Sequence, residues 1–90
     1  MHVIELSFDG NPDRLAARPA HREYLAALHA EGVVVASGPF PDDSGALLIF
    51  DVDRARVDQI IAEDAYYRAP GVTVVSVREW SPIFGRALDK

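Results

Sequence analysis

Among the side chains of this 90-residue sequence, His21 and Asp64 are the two best suited to moving a proton. His21, Leu25 and Leu28 stand at i, i+4 and i+7, so on a helix the imidazole shares the stripe of the leucines that must face the interior. Val57, Ile60, Ile61 and Asp64 form a second stripe of the same kind, ending on a carboxylate. An inward carboxylate is costly unless it is paired or hydrogen-bonded, and at a helix C-terminus it also meets the unfavourable end of the dipole. His21 is the partner that the topology offers, and an imidazole beside a carboxylate is suited to general acid/base chemistry, because the carboxylate fixes the tautomer and strengthens the base. Arg18 and the free backbone donors of the first helical turn are expected to bind a carboxylate or enolate oxygen. Ser37 and Tyr66 are candidates for further hydrogen bonds. The plainer alternatives are a core histidine bonded to backbone and a solvated aspartate at a frayed helix end. His2 and His29 lack a comparable partner and read as solvated, while Trp80 and Phe84 read as interface or core.

The elements that must position these residues are well punctuated. Residues 3–8 are rich in β-formers and are stopped by Asp9-Gly10-Asn11-Pro12. Residues 13–17 allow a helical turn, and Pro19 sets the start of a main helix that runs to Glu31, followed by the permissive backbone of Gly32. Residues 33–37 read as a second strand ended by Gly38-Pro39, and residues 46–52 as a third. Asp53 is the expected N-cap of a helix from 54 to about 64. A loop over 65–70 leads to a last strand over 72–77 that continues toward Trp80, and Pro82 separates it from a short, less ordered tail.

The order is βαββαβ, whose commonest compact form is the ferredoxin-like α+β sandwich: a four-stranded antiparallel sheet with both helices on one face. Tracing that path brings Arg18, Pro19 and His21, the strand end Ser37-Gly38-Pro39, Asp64 and the segment near Val72 to the same end of the sheet. The runs Leu47-Leu48-Ile49-Phe50 and Val33-Val34-Val35 are apolar on both faces, whereas a half-solvated sheet alternates. A second copy packing sheet against sheet would cover the free face, so a homodimer is expected, with Arg78, Glu79, Trp80 and the tail near Phe84 in reach of the partner. The alternative is a mildly apolar open face.

Composition narrows the function classes. With 49% hydrophobic and 26% charged residues the chain is expected to be a globular single domain over 1–90. A net charge of −5 and scattered basic residues argue against nucleic acid as a partner. The absence of cysteine removes disulfides, thiolate zinc sites and a thiol nucleophile. The N-terminus lacks a signal-peptide pattern and no stretch is long enough for a membrane span, so the expectation is a cytoplasmic protein without membrane contact.

Arg18-Pro19-Ala20-His21, then Leu25, Leu28 and Glu31-Gly32, then Ser37-Gly38-Pro39, and finally Asp64 with Tyr66, Gly71-Val72 and Val77, resemble the YCII-related (YciI-like) family in order and spacing over nearly the whole chain. The resemblance implies a dimeric ferredoxin-like α+β barrel with a His-Asp pair in a pocket, matched here by His21 and Asp64, and small-molecule enzymes among its members. The sequence departs from the family in two places. Asp64-Ala65-Tyr66 stands where Asp-Pro-aromatic is common, and the 39–45 segment is shorter than the usual glycine-containing insert.

Together these readings favour an enzyme on a small organic acid, of lyase, isomerase or dehalogenase type. His21 and Asp64 would be the catalytic pair, with Arg18, Ser37, Gly38, Pro39 and Tyr66 at the substrate, and the chemistry needs no metal or cofactor. The rival is a non-catalytic dimeric ligand-binding or accessory module in which the same pair only satisfies buried polar groups.

Overall fold

The computed structural model describes residues 1–85. Strands β1 (His2–Phe8), β2 (Val34–Pro39), β3 (Gly45–Phe50) and β4 (Val72–Glu79) form one antiparallel sheet in the order β2-β3-β1-β4. Helices α1 (Arg18–Ala30) and α2 (Arg54–Glu63) follow β1 and β3. This is the expected α+β sandwich.

Alternation along β1 decides the core. Ile4 and Leu6 are buried, Phe8 nearly so, and their register partners Leu48 and Ala46 on β3 point the same way. Leu28 from α1 and Val57 and Ile60 from α2 close over them, each apolar side chain contributing roughly 2 kcal/mol on leaving water. A register shift between Glu5 and Leu6 places Val74 and Val77 of β4, opposite Leu6 and Ile4, on this same face. The other face carries Val3, Glu5, Leu47, Ile49, Ser76 and Arg78, and no segment among the described residues covers it. Leu47 is 37% and Val75 52% exposed.

Several boundaries differ from those the sequence suggests. Gly38 and Pro39 are the last two residues of β2 rather than lying just beyond it: β2 is an edge strand, so the missing N–H of Pro39 breaks no ladder bond on the solvent side. The segment after α2 holds a 3₁₀ turn, Ala65–Arg68, and a second 3₁₀ turn, Pro12–Ala16, precedes α1. Gly32 sits at φ +81°, the left-handed cap expected after α1. Gly45 is needed for a different reason: a Cβ there would lie 2.1 Å from the Leu6 carbonyl oxygen, so only glycine lets the β2–β3 hairpin close onto β1.

His2 is a correction. It is 7% exposed, not solvated, because it continues the inward alternation of Ile4 and Leu6, and its Nδ1 donates to the Val52 carbonyl at 2.9 Å. Trp80 (42% exposed) and Phe84 (94%) are not core residues of this chain, since Trp80 follows the end of β4 and Phe84 lies beyond Pro82 where no element packs. His29 is exposed, as expected. The tail expected from 81 onward has no helix or strand at 81–85, and its remainder at 86–90 lies outside the described residues. Among the described residues no helix is long and apolar enough to cross a membrane.

Candidate functional site

His21 lies in the first turn of α1, on the buried stripe it shares with Leu28. Its Nδ1 donates to Asp64 Oδ2 at 2.5 Å, and both side chains are more than nine-tenths buried. Asp64 differs from the expectation in one respect: it stands just past α2 in an extended conformation, not on the last helical turn. From there it caps the following 3₁₀ turn, Oδ1 accepting from the Tyr66 N–H at 3.0 Å. Both carboxylate oxygens are therefore satisfied by donors, which is what makes burial of the charge tolerable.

Two consecutive tyrosines frame the imidazole. The Tyr66 ring stacks on it with centroids 4.1 Å apart and planes 12° from parallel, and the Tyr67 ring meets it edge-on at 5.7 Å and 89°. The hydroxyls of the two have opposite fates. Tyr66 Oη accepts from Arg14 Nη1 at 3.0 Å, whereas Tyr67 Oη is buried and has no hydrogen-bond partner among the described residues. Burial, and then the charge of Asp64 nearby, push the Tyr67 hydroxyl well above the ordinary tyrosine range.

Beside this group lies a cleft of about 250 Å³, walled by Leu6, Phe8, Leu25 and Leu48 on the apolar side. Of the residues singled out by the sequence, Arg18, His21, Ser37, Gly38, Pro39 and Tyr66 all line it, while Asp64 sits behind His21 and does not. Ser37 and Pro39 face inward because they pair with Leu48 and Ala46, which belong to the helix-covered face. No side chain caps the start of α1; Pro19 brings no N–H there and the His21 N–H is taken by the Ala17 carbonyl at 3.2 Å, so the electropositive end of the helix beside Arg18 is left without an anionic cap.

Arg14 and Asp43 also line the cleft, and sequence reasoning missed both. Arg14 is 5% exposed while its neighbour Leu15 is 41% exposed, the reverse of what residue type suggests. The 3₁₀ turn that begins at Pro12 rotates Arg14 inward, where its guanidinium lies 4.0 Å over the Phe8 ring and pairs with Asp43. No spacing in the sequence signals this, because the pairing joins a 3₁₀ turn to a distant hairpin.

The arrangement presents an imidazole held in the Nδ1–H form by a carboxylate, next to a cleft whose wall carries the cations Arg14, Arg18 and Arg22 in an otherwise acidic protein. In the neutral imidazole Nε2 is then the nitrogen without a proton, able to accept one. Among the described residues no three His, Cys, Asp or Glu side chains cluster as metal ligands would.

No curated protein is similar enough to this chain to match it. The model of the YCII-related domain matches residues 2–81, nearly the whole chain, and the protein belongs to that family.

Proposed function

We propose that the protein is an enzyme acting on a small organic acid, with His21 Nε2 as general base and acid and Asp64 holding the tautomer. The observation that carries this reading is the 2.5 Å bond between His21 Nδ1 and Asp64 Oδ2 in the wall of an arginine-rich cleft. Proton abstraction next to a carboxylate builds negative charge on oxygen, and the Arg18 guanidinium beside the electropositive start of α1 is placed to stabilise it. Ser37 and Tyr66 orient the substrate, and the backbone of Gly38 and Pro39 shapes the far wall. Lyase and isomerase chemistry start from this proton transfer, and a dehalogenating hydrolysis would use the same base on water as the water oxygen replaces the halide at carbon.

Exchange of carbon-bound protons for deuterium, followed by proton NMR over a panel of small hydroxy-, keto- and halo-acids in heavy water, tests the reading without a known product. The wild type exchanges at least one of them, and His21→Asn slows that exchange by about a hundredfold or more. Equal exchange by the variant, or none by the wild type, favours instead a ligand-binding module in which Asp64 serves only His21 and the Tyr66 N–H.

We also propose that the protein works as a homodimer joined through the open sheet face, supported by the exposed Leu47 and Val75 beside the half-buried Val3 and Ile49. Light scattering at micromolar concentration returns twice the chain mass for the wild type and the chain mass for Leu47→Glu. A monomeric wild type contradicts the pairing.

A further inference from the structure

The Arg14–Asp43 pair is poorly explained as a structural bridge. Arg14 carries a permanent charge at a site only 5% exposed, so it requires an anion, and the anion it has is a 59% exposed side chain on the β2–β3 turn. That turn is held by its own bonds: Phe40 N–H to the Gly45 carbonyl, Asp43 N–H to the Phe40 carbonyl, and Ser44 N–H to Asp42 Oδ1. The Asp43 carboxylate takes part in none of them, and Arg14 is its partner. Asp43 is also the non-glycine residue with positive φ, +58°, among the described residues, a conformation for which glycine is the ordinary choice. The position thus presents a carboxylate to the cleft at some backbone strain. That carboxylate can leave for water without dismantling the turn.

Asp43 is also the anionic side chain in a cleft wall that carries Arg14, Arg18 and Arg22. Arg14 offers a planar fork of donors matched to a carboxylate, and Tyr66 joins it to His21 through one hydrogen bond and one ring stack. We propose that Arg14 is the anchor for the carboxylate of the substrate, and that Asp43 is an exchangeable stand-in that the incoming carboxylate displaces. The substrate is then an organic acid whose reacting carbon lies close to its carboxylate, the two spanned by the width of the Tyr66 side chain. This rests on the acid/base reading of the same cleft for its choice of substrate class, but anchoring can be measured without turnover.

Benzoate is a suitable probe, with benzamide as its neutral counterpart, followed by amide NMR shifts in the intact protein. Asp43→Gly removes the competing carboxylate and fits the positive φ, so it binds benzoate about tenfold more tightly than the wild type, while benzamide binding is unchanged. Asp43→Asn shows a smaller gain in the same direction. Arg14→Lys in the Asp43→Gly background abolishes the gain, because an ammonium lacks the fork. Unchanged, weaker or absent benzoate binding in Asp43→Gly overturns the proposal, as does a gain that survives Arg14→Lys. The Asp43→Gly result stands whether or not an Arg14 variant folds. Tighter benzoate binding without any His21-dependent proton exchange would keep the anchor and discard the acid/base reading, and the converse result would do the opposite.

Discussion

Two histidines are buried against the same face of the sheet, one toward each end, and their surroundings differ. His2, at the start of β1, donates Nδ1–H to a backbone carbonyl and borders no cleft described above. His21 donates Nδ1–H to a carboxylate, is stacked on a tyrosine that is itself bonded to a buried arginine, and lines a cleft. Equal burial and the same bonding nitrogen therefore accompany very different chemical potential. Burial of an imidazole is a packing outcome, and the partner and the adjoining space are what suit it to reaction.

Substitution at each end should break that comparison in a definite order. Asp64→Ala leaves the His21 Nδ1–H and the Tyr66 N–H buried without acceptors, and should lower unfolding free energy by about 3 kcal/mol in urea titrations. His2→Phe keeps a ring in place and leaves one carbonyl unpaired, for a loss of about 1 kcal/mol and no change at the cleft. Equal losses at the two ends would mean that the carboxylate adds nothing beyond an ordinary hydrogen bond.

The adjacent tyrosines sharpen the same contrast on a smaller scale. Tyr66→Phe strips Arg14 of an acceptor and should cost about 1.5 kcal/mol. Tyr67→Phe removes a hydroxyl that has no partner, and should be neutral or stabilising by a few tenths of a kcal/mol. Both Tyr67 and Tyr24 hold their protons more tightly in the folded chain. Tyr24 is pushed up to about 12, first by burial and then by its bond to Glu63. Between about pH 10, where an unfolded tyrosine ionises, and the higher folded values, the native state binds more protons than the unfolded one, so stability falls as pH rises. Tyr67→Phe should flatten that alkaline decline in denaturant midpoints measured from pH 9 to 11, and an unchanged slope would count against a buried, unpartnered hydroxyl.

Much of the site is legible in the sequence for a physical reason. His21 occupies an inward position on the α1 stripe, Asp64 follows directly on the inward stripe of α2, and βαββαβ topology leaves one place where both can end. Asp64 falls just outside its helix, yet the stripe still directs it correctly because the chain leaves α2 toward the same core. Arg14 and Asp43 are illegible, since a charged residue next to a leucine reads as solvent-facing and only the 3₁₀ turn inverts the two. His2 is a different kind of miss: the alternation His2, Ile4, Leu6 carries the signal, and residue type outweighed it. Pro39 reads as a terminator because proline interrupts a central ladder, and it does close β2, as the strand's own last residue, which an edge strand allows.

On the proposed function, Asp64 holds His21 in the Nδ1–H form and leaves Nε2 free for a substrate. Long-range proton–nitrogen correlation of the neutral imidazole measures this directly. His21 is expected to be protonated on Nδ1 in the wild type and to revert toward the Nε2–H form, favoured by free imidazole, in Asp64→Ala. An Nε2–H tautomer in the wild type, or one that ignores the loss of Asp64, would contradict it.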